Sequence, residues 1–334
     1  MAHVLPAGKL PPALLEKLLQ GLPQSADVIL GAAYGEDAAV VAGRDGECWV
    51  ITTDPITFAA EQLGWYLVQV NANDIASMGA TPEFLTATLL FPAEATTSEQ
   101  VDECFSQIRQ ACRDLGVSWI GGHTEITPAV TQPVACGQMI GRVARSRLVT
   151  SGGARAGDDI VLIGLLGIEG TAILARERRP QLAAHFPPEF LDRAARFLFD
   201  PGIGVTRAAR AACDAARLTS LHDPTEGGLA SALREIGAAS GLGALLDDRE
   251  PPVACETREL CAFFGVDVLG LISSGCLLAT CDPAETPQLL GALPGSASCI
   301  GQMRPPAEGF LIGSRPLPLF DRDELARVLH GGAI

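Results

Sequence analysis

One stretch decides most about this chain: Asn71-Ala72-Asn73-Asp74-Ile75-Ala76-Ser77-Met78-Gly79-Ala80-Thr81-Pro82. Its spacing predicts an amphipathic helix whose apolar residues face a core, namely Leu67, Val70, Ile75 and Met78. Gly79 and Pro82 predict the end of the helix, because glycine favours a left-handed C-cap and proline cannot continue a helix. Asn71 and Asp74 are three residues apart and therefore share one face. A buried polar face is costly unless something satisfies it, so the helix predicts a metal ion, or a phosphate held through a metal.

Length and charge narrow the classes of protein that this chain can be. Its 334 residues are enough for one large or two medium domains, each with its own core. The formal net charge is −15, and the sequence has no block rich in lysine and arginine. Nucleic-acid and anionic-membrane partners are therefore not expected, because binding to them depends on cations that neutralise phosphate groups.

The N-terminal sequence predicts a cytoplasmic protein. Residues 1–9 lack the basic start, apolar middle and small-residue cleavage site of a signal peptide. No apolar run approaches the roughly 20 residues that a membrane-spanning helix needs. We therefore expect the chain to work in the cytoplasm without contacting a membrane.

The 10 cysteines are interpreted as small apolar core residues. The sequence contains no C-x-x-C pair, and most of the cysteines lie singly in apolar segments. A thiol in such a segment packs like a small hydrophobic side chain. This interpretation is favoured over a metal or redox role.

The order of patterns predicts two mixed α/β domains. The candidate boundary is the glycine-rich stretch at residues 151–158, so we assign one domain to residues 1–150 and the other to residues 151–334. Beyond this boundary, strand and helix patterns alternate.

Local patterns predict several individual elements. A leucine stripe predicts a helix over residues 12–22. Thr97 and Gln100 form a capping-box pattern that opens another helix. Later in the chain we expect a strand over Asp159–Ile163 and a helix over residues 229–240.

Acidic and polar residues recur at the ends of apolar elements. They are Asp37, Asp54, Asp74, His123, Glu125 and Asp223. Carboxylates at strand ends offer oxygen ligands to Mg²⁺ while nucleotide oxygens complete its shell. Each one alone is more simply explained as a turn or cap residue, as with Asp54 before Pro55. Only their number favours a metal site.

Three stretches that contain glycine are candidate phosphate-binding segments, which would complement the candidate Mg²⁺ ligands. They are Gly121-Gly122, Gly167-Ile168-Glu169-Gly170-Thr171 and Gly227-Gly228. The last two precede helix patterns, and the N–H groups at a helix N-terminus bind phosphate well. None of them matches a P-loop or a dinucleotide-binding fingerprint. As isolated signals they are weak, because most glycine pairs are turns.

These segments, in this order, resemble the AIR synthase (PurM)-like superfamily. The resemblance runs from about residue 35 to residue 301, and its motifs are at residues 35–40, 52–54, 73–82, 121–124 and 223–229. Members of this superfamily include the hydrogenase maturation factor HypE, thiamine-monophosphate kinase and selenophosphate synthetase. The sequence of residues 223–229 is most similar to that of the HypE branch.

The resemblance implies a two-domain fold of the α/β (α+β) class. The N-terminal domain is expected to form a β-barrel with a second copy, giving a homodimer, and the C-terminal α/β domain is expected to close over ATP. Mg²⁺ ligands are implied at Asp37, Asp54, Asp74 and Asp223. Further cofactor contacts are implied at Asn73, Gly121, Gly122, Thr124, Gly227 and Gly228. The family match makes Asn71 a structural residue.

The chain departs from the family pattern at His123. Relatives often carry an acid at this position, and histidine is a poorer Mg²⁺ ligand than a carboxylate. Either His123 contacts phosphate or substrate, or Glu125 replaces the missing acid, or His123 is a hydrogen-bonded turn residue. The candidate catalytic residues are Asp74, His123 and Glu125.

A second departure lies at the C-terminus. HypE proteins end in a cysteine that receives a carbamoyl group and is dehydrated to a thiocyanate. This chain ends Gly331-Gly332-Ala333-Ile334 and so lacks that cysteine. The tail chemistry of HypE is therefore not expected.

The favoured hypothesis is an ATP-dependent enzyme that activates or phosphorylates a small molecule or a protein-borne acceptor. One alternative is a non-catalytic nucleotide-binding scaffold in a maturation pathway, which the missing cysteine and His123 favour. Another is a small-molecule kinase similar to thiamine-monophosphate kinase, to which residues 35–40 and 74–79 are also similar. The sequence does not define the acceptor.

Overall fold

The chain folds as two compact units. Its computed structural model describes residue 5, residues 8–57 and residues 61–330. The N-domain comprises Ser25–Gly31 and Asp37–Leu148, and the C-domain comprises Met1–Gln24, Ala32–Glu36 and Val149–Ile334. This division differs from a single cut at residue 150, because two N-terminal segments belong with the C-domain.

Contacts between distant parts of the chain explain why these segments join the C-domain. The Glu36 carboxylate accepts hydrogen bonds from the backbone N–H groups of Ser151 and Gly152, each at 2.9 Å. The Lys9 Nζ lies 3.4 Å from Glu235 Oε1. Glu36 and Ser151 are 115 positions apart in the chain, and Lys9 and Glu235 are 226 positions apart. No local sequence pattern could predict such contacts.

Both domains contain helices and strands, numbered here in chain order. The helices are α1 (Pro12–Leu19), α2 (Leu63–Ser77), α3 (Ser98–Leu115), α4 (Ile168–Glu177), α5 (Arg179–Leu182), α6 (Pro188–Arg196), α7 (Thr206–Ala215), α8 (Gly228–Ser240), α9 (Cys255–Phe264), α10 (Thr286–Ala292) and α11 (Glu324–His330). The strands are β1 (Val28–Leu30), β2 (Ala39–Ala42), β3 (Glu47–Ile56), β4 (Thr81–Pro92), β5 (Ser118–Thr127), β6 (Val134–Ala144), β7 (Asp159–Ile163), β8 (Leu218–His222), β9 (Gly243–Leu246), β10 (Leu277–Cys281), β11 (Ala297–Arg304), β12 (Phe310–Ile312) and β13 (Arg315–Pro316). None of the described helices is long and apolar enough to cross a membrane.

The N-domain is built on a six-stranded sheet in the order β1-β2-β3-β6-β4-β5. Neighbouring strands are antiparallel except β4 and β5, which run parallel. Helix α2 packs on β3, β4 and β6, and α3 packs on α2. The sheet therefore brings the motif at residues 52–54, on β3, beside the motif at residues 71–74, on α2.

Helix α2 is buried on nearly all sides, so the prediction of an amphipathic helix was wrong. Every residue of Leu63–Ser77 is buried except Trp65 and Val70, which are partly exposed. The reason is that the sheet and α3 both pack against this helix. Asn71 and Asp74 therefore lie in the interior rather than on one polar face.

Local capping chemistry accounts for the helix ends in the N-domain. The capping box is confirmed: the Gln100 N–H donates to Thr97 Oγ1, and the Thr97 N–H donates to Gln100 Oε1. Helix α2 ends before Gly79, which has a φ of 70°. That positive φ is a conformation that glycine adopts at little cost.

The C-domain is built on a seven-stranded sheet in the order β13-β12-β9-β11-β7-β10-β8. Strand β7 has the predicted bounds, whereas α8 begins one residue before its predicted start and α1 ends three residues early. The core includes buried side chains of β7, β10, β11 and α8, among them Ile160, Leu162, Leu229, Leu233, Ile236, Leu278 and Met303. Strand β8 leads through a short loop into α8, and this loop carries the motif at residues 223–229.

The cysteines of the chain are free thiols. Six of them are buried, which agrees with a packing role: Cys48, Cys104, Cys112, Cys261, Cys276 and Cys281. Burial raises the pKa of Cys104 and of Cys112 to about 11. These thiols are therefore protonated near neutral pH and are poor nucleophiles.

Candidate functional site

Asp74 and Asp37 are connected through a threonine on β3. The Thr52 hydroxyl donates to Asp74 Oδ2 at 2.6 Å, and its oxygen lies 3.3 Å from the backbone carbonyl oxygen of Asp37. Thr52 and Asp74 are both buried. The sequence reasoning did not assign Thr52 to the site, although it lies two residues before Asp54 and so shares its strand face.

Asn71 fixes the position of Asp54 through both atoms of its amide. Its Oδ1 accepts from the Asp54 N–H at 3.0 Å, and its Nδ2 donates to the carbonyl oxygens of Leu67 and Asp54 at 2.9 and 3.3 Å. Gly137 makes this packing possible, because a Cβ there would lie 2.5 Å from Asn71 Nδ2. Asn71 is therefore structural. Its neighbour Asn73 is completely buried.

The predicted residues on β5 lie away from the other predicted site residues of the N-domain. His123 Nε2 is 3.4 Å from Glu125 Oε2, and both side chains are more than half exposed. Three strand spacings, or about 14 Å, separate β5 from β3. One N-domain by itself therefore does not bring His123 and Glu125 to Asp54 or Asp74, and their catalytic roles stay predictions.

The glycines on β5 have a packing reason of their own. Gly122 has a φ of 147°, and a Cβ there would lie 1.8 Å from the carbonyl oxygen of Ala87 on β4. No larger residue fits this contact. Gly121, by contrast, has open space around it. The cofactor contacts predicted for Gly121, Gly122 and Thr124 stay predictions.

In the C-domain, the predicted phosphate-binding glycines meet a carboxylate of the chain itself. Gly227 and Gly228 precede and begin α8, with φ values of 80° and 59°. The Gly227 N–H donates to Asp323 Oδ2 at 2.6 Å, and the Leu325 N–H donates to the other oxygen at 2.7 Å. An anionic group therefore already lies at this helix N-terminus. Sequence reasoning gave no signal for Asp323, which lies 96 positions from Gly227.

A second buried acid lies near Asp323. Glu169, in the first turn of α4, is 4% exposed and accepts hydrogen bonds from the hydroxyl and the N–H of Ser274. Burial, helped by the negative charges of Asp323 and Glu226, raises the pKa of Glu169 to about 7 against the hydrogen bonds from Ser274, which lower it. Burial likewise raises the pKa of Asp323 to about 6.

A buried polar network holds the end of β8, just before Asp223. His222 Nδ1 lies 3.1 Å from Ser151 Oγ, and His222 Nε2 lies 3.1 Å from Glu235 Oε2. Burial by itself would raise the pKa of Glu235, but the charges of Lys9 and His222 lower it to about 2. The network therefore fixes the backbone from which the buried Asp223 projects.

The N-domain carboxylates suit a magnesium ion that is bound mainly by other ligands. Among the described residues, no three His, Cys, Asp or Glu side chains form a group that could hold a metal by themselves. Mg²⁺ usually keeps several waters and takes one or two carboxylates together with substrate phosphates. The Mg²⁺ contacts predicted for Asp37, Asp54 and Asp74 stay predictions.

Comparison with known proteins defines the class of this chain. The model named AIR synthase related protein, N-terminal domain, matches residues 35–143, and the model named AIR synthase related protein, C-terminal domain, matches residues 155–313. The chain therefore belongs to the AIR synthase-related family.

Individual relatives place the chain near HypE within this family. Carbamoyl dehydratase HypE of Cupriavidus necator is 30% identical over 275 residues, which are 78% of this chain and 73% of that protein. A thiamine-monophosphate kinase of Halobacterium salinarum is 28% identical over 288 residues, which are 82% and 89% of the two chains. A crystal structure of hydrogenase maturation protein HypE in complex with ATP has a TM-score of 0.70 at 21% identity and covers 93% of this chain and 91% of its own. That likeness shows a shared fold.

Proposed function

We propose that this protein is an ATP-dependent enzyme that activates or phosphorylates a small molecule or a protein-borne acceptor. The observation that carries the proposal is the buried Asp74, which Thr52 holds beside Asp37 in the domain that matches the family. A relative named carbamoyl dehydratase and a structural neighbour described in complex with ATP support nucleotide chemistry.

The proposed roles of the site residues divide between the two domains. Asp37, Asp54 and Asp74 are the proposed Mg²⁺ ligands of the N-domain, and Asp223 is the proposed ligand of the C-domain. Mg²⁺ neutralises charge on the transferring phosphoryl group when it is bound. Thr52 orients Asp74, and Asn71 fixes the backbone of Asp54. The backbone N–H groups of Gly227 and Gly228 contact a phosphate group. Because Asp323 accepts from the Gly227 N–H, the phosphate replaces Asp323 there.

The active form is proposed to be a homodimer that pairs through β5. This strand is the last one in the sheet order, and nearly all its residues are exposed. Ile120 and Ile126 are 58% and 53% exposed. An exposed edge strand with apolar side chains is a template for pairing with another chain.

The experiment that tests the function compares Asp74→Asn with a matched surface variant. Calorimetry measures ATP binding with Mg²⁺, and a phosphate-release assay measures turnover. We expect Asp74→Asn to lower turnover about 100-fold, because a metal ligand contributes several kcal/mol to the transition state. Asp102→Asn, at an exposed position of α3, is expected to behave like the wild type. Unchanged turnover and Mg²⁺ dependence in Asp74→Asn would overturn the assignment.

The same assays separate the two alternative functions. A small-molecule kinase is favoured by the relative that is a thiamine-monophosphate kinase, and phosphorylation of thiamine monophosphate by the wild type would support it. Tight binding of ATP without turnover on any acceptor would instead support a non-catalytic scaffold.

A further inference from the structure

The carboxyl group of Glu169 is buried in the C-domain without a role in the proposed site. Its side chain lies in the first turn of α4, is 4% exposed, and accepts hydrogen bonds from Ser274. Its Oε2 has no hydrogen-bond partner among the described residues. The charged groups that act on it are Asp323, from the segment before α11, and Glu226, from the loop before α8, and both are acidic.

The surroundings of Glu169 argue against a purely structural role. An ionised carboxylate in an apolar interior is costly unless a cation or several donors compensate it. Asp323 and Glu226 increase this cost, and the described residues offer no three-ligand metal group. A glutamine would make the same contact with Ser274 without the cost of a charge. The carboxyl group is therefore explained better by proton transfer than by stability.

The segment that holds Glu169 also connects it to the helix N-terminus at Gly227. The Gly167 N–H donates to Ser273 Oγ at 3.0 Å, and the Gly170 N–H donates to the Ile272 carbonyl at 3.2 Å. The neighbouring Ile272 N–H in turn donates to Asp323, which accepts from Gly227 as well. Glu169 is thus linked, through one short segment, to the N–H group proposed to bind a phosphate.

We propose that Glu169 is a catalytic residue, the base that takes the proton from the attacking group of the acceptor. The attacking oxygen or nitrogen forms a bond to the γ-phosphorus of ATP. The bond from that phosphorus to the β–γ bridging oxygen breaks, its electron pair leaves on ADP, and the proton moves to Glu169 Oε2. The acceptor reaches Oε2 after a phosphate has replaced Asp323 on the Gly227 N–H. This inference rests on the function proposed above.

The protonation behaviour of Glu169 suits this role. Burial raises its pKa to about 7, so the group is partly ionised at neutral pH and has a high proton affinity once it is ionised. General bases work best when their pKa lies near the working pH. Asp323 acts through Glu169 as a positioning residue, because its charge favours the protonated product. The Leu325 and Ile272 N–H groups still hold its carboxylate after a phosphate has taken the Gly227 N–H.

The test uses the full-length chain, Mg²⁺–ATP as the probe, and water as the acceptor. Phosphate release is followed from about pH 5.5 to about pH 9, and ATP affinity is measured by calorimetry. We expect the wild-type kcat to rise with pH through an apparent pKa near 7, and Glu169→Gln to lower kcat by about 100-fold or more without this rise. ATP affinity is expected to stay within about twofold. Glu177→Gln, at an exposed position of the same helix, keeps the wild-type rate and pH profile.

The outcomes separate this inference from the proposed function. If the wild type releases phosphate and Glu169→Gln keeps its kcat and pH profile, the inference fails and the proposed function stands. If the wild type binds ATP but transfers phosphate neither to water nor to any acceptor at any pH, both fail. If Glu169→Gln loses its fold, Glu169→Asp decides: a reduced kcat that still rises with pH supports the inference, and a pH-independent kcat overturns it.

Discussion

At the scale of single residues, the buried acids of the C-domain differ in protonation because their neighbours differ in charge. Burial by itself would raise the pKa of Glu235, but Lys9 and His222 lower it to about 2. Burial raises the pKa of Glu169 to about 7 and that of Asp323 to about 6, and the charges that reinforce it are acidic. Glu235 is therefore ionised in the interior, whereas Glu169 and Asp323 are protonated at mildly acidic pH.

These shifted pKa values predict that the folded state loses stability as the pH rises. In the unfolded chain both acids ionise near pH 4, whereas the folded chain keeps their protons up to about pH 7 and pH 6. Between these values the folded state binds more protons, so the free energy of unfolding falls with increasing pH. For Glu169 alone the loss is at most about 3 to 4 kcal/mol.

Urea denaturation at about pH 5 and about pH 8 measures this loss. We expect Glu169→Gln to have a smaller pH dependence than the wild type and to be more stable than the wild type at the higher pH. The Glu177→Gln variant should keep the wild-type dependence. If the free energy of unfolding changes equally with pH in the wild type and in Glu169→Gln, the protonation of Glu169 does not change on unfolding.

At the scale of elements, the candidate site of the N-domain depends on how closely α2 lies on the sheet. Asn71 of α2 bonds the backbone of Asp54 on β3, and Gly137 on β6 is paired with Asp54 in register. The absence of a side chain at Gly137 leaves room for the Asn71 amide. Periodicity predicts the helix and the strands, but only their packing shows that Asn71 supports Asp54.

The substitution Gly137→Ala is expected to destabilise the N-domain and weaken ATP binding. Its Cβ would lie 2.5 Å from Asn71 Nδ2, and overpacking of this kind typically costs about 1 to 3 kcal/mol. Thermal melting and calorimetry with Mg²⁺–ATP measure the two effects. Gly121→Ala, where a Cβ meets nothing within 4 Å, is the stability control. An unchanged melting temperature in Gly137→Ala would show that α2 moves away without cost.

At the scale of the whole molecule, the edge strand β5 is the feature on which the proposed homodimer rests. Its outer edge has no partner strand among the described residues, and it carries the exposed Ile120 and Ile126. It also carries His123 and Glu125, which one N-domain by itself does not bring to Asp74. A homodimer through β5 would cover this edge.

We expect Ile120→Lys and Ile126→Lys, combined in one chain, to shift the protein from dimer to monomer. Lysine on an edge strand opposes pairing because its charge cannot be buried cheaply. Sedimentation velocity at micromolar concentration measures the change. Leu319→Lys, at a position that is 74% exposed in the C-domain, should leave the dimer intact. A wild type that sediments as a monomer would rule out the dimer.

The sequence by itself determined the family, the α/β class and most of the elements. The reason is that these depend on local signals: hydrophobic periodicity, the Thr97–Gln100 capping box, the glycine at position 79, and motifs in a fixed order. The same signals singled out Asp74, which is buried and accepts a hydrogen bond from Thr52, and its metal role stays a prediction.

Only the tertiary structure decided which residues meet. It joined Glu36 to Ser151, Thr52 to Asp74 and Asp323 to Gly227, and it buried α2 on both sides. Each of these facts depends on residues far apart in the chain, or on the neighbours that cover an element from outside. Local periodicity carries no information about such contacts. Only the folded structure therefore shows that Glu169 and Asp323 are buried acids with raised pKa values.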